Sequence, residues 1–431
     1  METLLRNQNI NCNGTNRKTR FAGIKLKVFS MEQTVDYAFV NALSREITKK
    51  MLGIINDNSF NITELLTRSI LSKMIKDIFP SLKDKMKINV AGLYQTYTDM
   101  WIKRDDWLPQ MTFEEKKSFM WQLAHKAYQK KSSLSLHHSQ LGKPEMAPLK
   151  ENFTETNKDY FQYEVATCPF LNCDRDGNYS FIHKSFMEFF LAQYFFHELR
   201  NNNRIANVFD FNHETLFFLK SIILLNKSYL QGLDLRNLPL NNVNLEGVNL
   251  TGTNLSGCLL MGANLKMAKL CDANLSRATL CDADLSNANL SGANLYKANL
   301  GMVNLDGANL SEADLRKADM ILASLNGTKF TNANLQKADL TFANLNCTDF
   351  SNANLSGAIL SKIKLNNSKL KMAKLCGADL SLAILSGIDF GGFDLKRVDL
   401  RMADLSHTNF KGANLKNANL SDANCNGAIF D

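Results

Sequence analysis

The chain has 431 residues and a formal net charge of +8, which leaves room for two or more domains. Its longest apolar run, 216–225, is broken by Lys220 and Ser221 and falls short of a bilayer span, and residues 1–20 lack the apolar core of a signal peptide. Nine cysteines form neither zinc-finger pairs nor a small secreted framework, so the composition leads to a soluble, cytoplasmic protein with free thiols, no cofactor and no metal.

Residues 1–20 are polar and Asn-rich and read as a disordered lead-in. The alternation over 24–29 suits a short strand. Ile62, Leu65, Leu66, Ile70, Met74, Ile75 and Phe79 share one helical stripe that Pro80 ends. Leu93, Tyr94, Tyr97 and Trp101 predict a second helix. Thr112 and Glu115 have the spacing of a capping box and open a third, with Phe119, Leu123, Ala127 and Tyr128 inward. The stretch 132–148, with two prolines, reads as loop. Asp174 to Asn178 reads as a hairpin turn entering a strand, because it supplies too few carboxylates for a calcium loop. The strand runs into an aromatic-rich helix that includes Phe186, Phe189, Phe190 and Phe196. Residues 212–225 predict a buried helix placed to cap the C-terminal half of the chain.

That half is one phrase repeated without insertion. Every fifth position from Leu235 to Phe430 is apolar, overwhelmingly Leu, with a small residue two before it and Asn or Asp between. A period of five fits neither helix nor simple strand. In an extended pentad the small residue and the Leu share one side and the Asn or Asp points away. The two remaining residues suit a corner. Phe330, Phe350, Phe390, Phe410 and Phe430 are spaced in multiples of 20, so four pentads make one coil and all five stack on one face. Thr328, Thr348 and Thr408 lie two before three of them. The expectation is a four-sided β-solenoid of about ten coils, roughly 48 Å long at about 4.8 Å per coil. Its core of Leu and Ala leaves no space for a ligand.

The tandem Ala-(Asp/Asn)-Leu-x-x resembles the pentapeptide-repeat family, which implies a right-handed quadrilateral β-helix. A second resemblance lies upstream. Phe181, His183, Ser185, Phe186, Glu188, Phe189, Phe190 and Ala192 are spaced as in the winged-helix segment that closes the nucleotide-binding module of NACHT-type signalling ATPases. Leu93, Tyr94, Tyr97, Thr98, Trp101, Ile102, Arg104 and Asp105 are similar to its helical part. That resemblance implies that His183 is a vestigial nucleotide contact. The phosphate loop is missing: the one Gly-Lys, Gly142-Lys143, is followed by Pro144, and Arg68 stands where the family usually has Pro. The division expected is lead-in 1–20, helical NACHT-like region 21–130, winged-helix-like region 131–205, capping helix 206–230 and β-helix 231–431.

Residues 1–230 hold 31 Lys plus Arg against 24 Asp plus Glu, and residues 231–431 hold 19 against 18. Some pentapeptide-repeat proteins mimic a DNA duplex and occupy topoisomerases, a role against which a neutral rod argues; the alternative function is therefore a DNA-binding or DNA-mimicking protein acting on DNA or a topoisomerase through the basic N-terminal region. Cys168 and Cys173 lack a second pair to make a metal site. Arg277, Lys297, Lys317 and Lys337, with Arg397 further along, recur at steps of 20 and should form a like-charged ladder. Asp319, Asp339 and Asp399 lie two residues after three of them and are expected to offset it. The sequence therefore points to a non-enzymatic interaction or scaffold protein, related to NACHT receptors, that binds protein partners on the solenoid exterior. It implies no membrane contact, makes nucleic acid the lesser partner, and leaves end-to-end pairing through Phe430 and Cys425 open.

Overall fold

The computed structural model describes residues 90–104, 111–130, 135–137, 168, 170–176, 178–202, 212–365 and 367–430. All belong to one compact unit, Asp77–Asp431, separate from Met1–Lys76. The expected lead-in, the strand at 24–29, the helix at 62–79, Arg68 and the stretch 142–144 lie outside the described residues.

The first part is built from helices α1 (Val90–Ile102) and α2 (Phe113–Gln129), strands β1 (Ser135–His137), β2 (Leu171–Cys173) and β3 (Asn178–Phe181), and helices α3 (Lys184–Asn202) and α4 (His213–Leu225). The sheet is antiparallel in the order β1-β3-β2. β1 lies in the stretch expected to be loop. Leu136 of β1 is buried and pairs with Tyr179, so cross-strand packing outweighs the neighbouring turn-forming residues.

Local chemistry accounts for the ends of these elements. Thr112 Oγ1 accepts from the Glu115 N–H while the Glu115 carboxylate accepts from the Thr112 N–H, which completes the capping box. Asp174 Oδ1 accepts from the N–H groups of Asp176 and Asn178 and closes the β2–β3 turn. Tyr94 is the common core residue of three helices. Its ring lies 5.5 Å from Phe186, 5.4 Å from Phe189 and 4.8 Å from Phe218, and its hydroxyl donates to Ser185 Oγ at 2.9 Å.

From Asp234 to Ile429 the chain is a four-sided solenoid, with parallel bridges joining residues 20 apart. The pentad 264–268 shows why the pattern is so strict. Asn264 N–H bonds to Val243 O one coil back, while Leu265 and Met267 N–H bond to Asp284 O and Ser286 O one coil on. Ala268 N–H closes the turn onto Leu265 O. The remaining donor, Lys266 N–H, is bound by the Asn264 side chain at 3.1 Å. All five donors are thus satisfied, and the Asn or Asp of the consensus is an Asx turn rather than merely an outward polar residue.

The inward leucines and alanines are buried throughout coils 2–9. The expected Phe column forms, with Phe330 stacked on Phe350 at 5.2 Å, Phe390 on Phe410 at 5.7 Å and Phe410 on Phe430 at 5.1 Å. Thr328, Thr348 and Thr408 are buried beside it, and each hydroxyl donates to a leucine carbonyl of the preceding coil.

The coils are unevenly joined at one place. Among the described residues, the regular series of bridges skips only the pairs Lys369 with Asp389 and Lys374 with Asp394. Here Phe393 takes an inward position that Ala373 and Ala413 hold in the adjacent coils, and its ring packs against Phe390 at 5.5 Å. An aromatic ring in a slot sized for a methyl group holds the two coils apart. A cleft lined by Asn367, Ser368, Lys371, Asp389 and Phe393 opens there.

The two ends differ. α4 leads into the first coil, where Lys220 Nζ donates to Asn241 O and Leu235, Leu240, Leu245 and Leu250 are buried. In the last coil Leu415, Leu420 and Cys425 are half-exposed and Phe430 is exposed. Among the described residues no helix is long and apolar enough to cross a membrane.

Candidate functional site

A core filled with Leu, Ala and Phe places any working surface of the solenoid on its outside. Three outward positions of each pentad repeat every 20 residues, so each side of the rod carries its own columns.

The side that ends on the expected ladder is strongly basic. It carries Arg236, Arg277, Lys297, Arg316, Lys317, Lys337, Lys374, Lys396, Arg397 and Lys416 against Asp234, Asp314 and Asp394. The next side is acidic, with Asp282, Asp319, Asp339, Asp379, Asp399 and Asp422 against Lys362 and Arg401. The near-neutral total read from the sequence therefore conceals two neighbouring sides of opposite sign.

Arg277, Lys297, Lys317, Lys337 and Arg397 are brought together as expected. All are exposed and occupy the second corner residue, at φ between 57° and 59°. The expected offset by Asp319, Asp339 and Asp399 is not how the carboxylates pair. Asp399 binds Arg401 at 2.6 Å and Asp314 binds Arg316 at 2.7 Å, and Asp234 pairs with Arg236 in the same way. In each case the cation is the first corner residue of the same pentad. Its side chain leaves on the same side as the Asp, while the second corner residue is turned away by its positive φ. Hydrogen bonding from these arginines holds the carboxyls of Asp314 and Asp399 below the usual range. Among the described residues, no ion pair within 4.0 Å involves Arg277, Lys297, Lys317, Lys337 or Arg397.

A shallow groove of about 720 Å³ lies on the basic side, with Arg236, Ser256, Ser276, Arg277, Tyr296 and Arg316 among its lining residues. Its far wall is tied together by the Arg316 guanidinium 5.6 Å from the Tyr296 ring and Lys297 Nζ 5.4 Å from the same ring. Such a groove suits carboxylates, since Arg277 presents a guanidinium with no acidic partner among the described residues.

His183 stands between β3 and α3. Its Nδ1 accepts from the Ser185 N–H at 3.2 Å and lies 2.7 Å from Ser185 Oγ, the atom that Tyr94 also reaches. These contacts join the start of α3 to α1. Cys168 is buried, and desolvation pushes its thiol up to about 12, whereas Cys173 is exposed. Among the described residues no group of three or more His, Cys, Asp or Glu side chains could hold a metal ion.

One column goes unnoticed in the sequence. Met302, Leu322, Phe342, Leu382 and Met402 occupy second corner positions beside the acidic row, all at positive φ and all exposed. The same step of 20 that finds the Phe column is the signal that would reveal it.

The family profile described as pentapeptide repeats matches this chain in eight copies, with matched segments running from residue 240 to residue 431. No curated protein matches the chain. Among solved structures it is similar to HetL, a pentapeptide repeat protein involved in heterocyst differentiation regulation from the cyanobacterium Nostoc sp. strain PCC 7120. The identity is 33%, over 46% of this chain and 92% of that one, with a TM-score of 0.21. It is also similar to Rfr23, a pentapeptide repeat protein from the cyanobacterium Cyanothece 51142, at 30% identity over 29% of this chain and 89% of that one, with a TM-score of 0.16. A third likeness is to QnrB1, a plasmid-mediated fluoroquinolone resistance protein, at 18% identity over 42% and 88%, with a TM-score of 0.25.

Proposed function

Given that the chain belongs to the pentapeptide-repeat family through its right-handed β-helix, we propose that it is a non-catalytic interaction protein that engages an acidic protein partner along the basic side of the rod. The observation that carries this reading is the column Arg277, Lys297, Lys317, Lys337 and Arg397, exposed and without ion pairs among the described residues, beside a groove bearing Arg236 and Arg316. Unpaired cations repeated along a rigid surface attract an acidic chain from a distance and set its register.

The test is binding of labelled poly-glutamate to the full chain, compared with the variant Lys297→Glu, Lys317→Glu, Lys337→Glu. A loss of about tenfold or more is expected, as each reversal replaces attraction by repulsion. Equal binding by the two proteins would remove the basic side from the proposal. Duplex DNA, included in the same series, would move the reading to nucleic acid if it bound more tightly and with a steep dependence on salt.

The helical part fits this function as the anchoring end. Its resemblance to the close of a NACHT module without the phosphate loop supports a docking or dampening role without ATP hydrolysis. The purified protein is expected to show no ATPase activity above background. Turnover that disappears in His183→Ala would overturn that.

A further inference from the structure

We propose that the column Met302, Leu322, Phe342, Leu382 and Met402 is a docking ridge for a basic amphipathic segment of another protein. The proposal rests on reading the solenoid exterior as the working surface, but it concerns a different column from the cationic ladder.

Side-chain character sets these five residues apart from the other second corner residues, which share their backbone conformation. They have φ between 56° and 60°, a region where a Cβ is crowded and where Gly or Asn is the least strained choice. The neighbouring corner column uses that choice repeatedly, at Gly307, Gly327 and Gly387. Along the ridge, large apolar side chains instead stand at strained positions with 41–59% of their surface in water. Neither local geometry nor the solenoid core, from which they point away, favours them there.

The column also spans six consecutive coils, with Lys362 as its one polar member. Coils joined by parallel bridges put successive corner residues about 4.8 Å apart, so the column from Met302 to Met402 is a strip about 24 Å long. Scattered exposed apolar residues are ordinary, but five in a column of six are not. The length suits an α-helix of about 16 residues.

Charge identifies the occupant. Asp319, Asp339 and Asp379 run along one flank of the ridge with no ion pair of their own among the described residues. The other flank carries Asn304, Ser324, Asn344, Lys364, Ile384 and Asp404 and has no net charge. A segment with an apolar stripe and Lys or Arg along one edge would satisfy both features in one orientation. Lys362 interrupts the column and shows the contact in miniature, its Nζ lying 4.7 Å from the centre of the Phe342 ring.

The experiment uses the full chain and two labelled 16-residue helices, one with a leucine stripe flanked by lysines and one with glutamates in place of the lysines. The lysine helix is expected to bind at least about tenfold more tightly than the glutamate helix. In the variant Leu322→Asn, Phe342→Asn, Leu382→Asn it should lose at least about tenfold in affinity. Asn suits positive φ, so this variant keeps the fold, which circular dichroism checks. Asp319→Asn with Asp339→Asn should weaken binding about threefold and flatten its salt dependence. Lys297→Glu, Lys317→Glu, Lys337→Glu should leave this binding in place, which separates the ridge from the basic-side proposal. The proposal is overturned if the two helices bind equally, or if the triple Asn variant binds as the wild type does. It is overturned as well if the ridge substitutions change only self-association in sedimentation or only binding to phosphatidylcholine vesicles.

Discussion

The Asn212 side chain does two things at once: its Oδ1 accepts from the Thr215 N–H at 2.8 Å and caps α4, while its Nδ2 donates to Glu188 Oε1 on α3 at 3.0 Å. Glu188 is otherwise buried and also meets Lys184 at 3.1 Å. One amide therefore links the helix that continues the strand-to-helix segment to the helix that leads into the solenoid.

Asn212→Ala removes the cap and leaves the Glu188 carboxylate with one partner fewer. It should cost about 1–3 kcal/mol, read by urea unfolding of the helical signal. Asn212→Ser, which can still cap α4, should recover part of that loss, and equal costs for the two variants would argue against the cap.

Burial raises the pKa of Glu188 in the folded chain, outweighing Lys184. A carboxyl with a raised folded pKa favours folding below its unfolded pKa, and that contribution is lost as pH rises through the folded value. Glu188→Gln abolishes this titration. The stability of the variant relative to wild type should therefore increase as pH is raised from the acidic range towards neutrality, as followed by denaturant midpoints. A difference that stays constant with pH would count against the burial effect.

Asn289 Oδ1 accepts from the Ser291 N–H at 3.2 Å and from Asn309 Nδ2 at 3.1 Å. Asn289→Ala should destabilise the solenoid by about 1–2 kcal/mol, and Asn289→Asp by much less because it retains the Asx acceptor. The comparison of denaturant midpoints reads the Asx turn directly.

Two phenylalanines at inward positions, Phe350 buried and Phe393 half-buried, should differ in what they contribute. Phe350→Ala breaks the stack with Phe330 and leaves a cavity, at a cost of about 3–5 kcal/mol. Phe393→Ala removes the residue that separates its coil from the preceding one, so it should cost far less and allow the missing bridges to form. Hydrogen exchange checks this: the amides of Leu370 and Leu375 should exchange more slowly in Phe393→Ala than in wild type.

Thiol reactivity gives an independent check on the core. Cys258 is buried and its thiol is pushed up to about 12 by desolvation, as is that of Cys168. At neutral pH both should resist maleimide until the chain unfolds, while the exposed Cys173 and Cys347 label first, as read by peptide mass mapping.

The capping box at Thr112, the turn at Asp174 and the start of α4 at Asn212 were legible because each depends on residues within five positions. β1 was not, because its strand state is set by pairing with residues more than 40 positions away. The ladder Arg277 to Lys337 was legible as a column, but its supposed pairing with Asp319 and Asp339 was not. Sequence distance alone does not show that positive φ turns Lys317 away from Asp319, while Arg316 is placed to meet Asp314.

The pentad, the four sides, the inward Leu and the Phe column are all readable from the order of residues. In a coil of fixed length, register reduces to counting, and counting by 20 finds every stacked neighbour. The folded chain was needed to show which donors the Asn and Asp side chains satisfy, which carboxylates pair with which arginines, and where Phe393 parts two coils. These outcomes depend on the direction in which each side chain leaves a turn and on how much space the adjacent coil provides, and a repeat count contains neither.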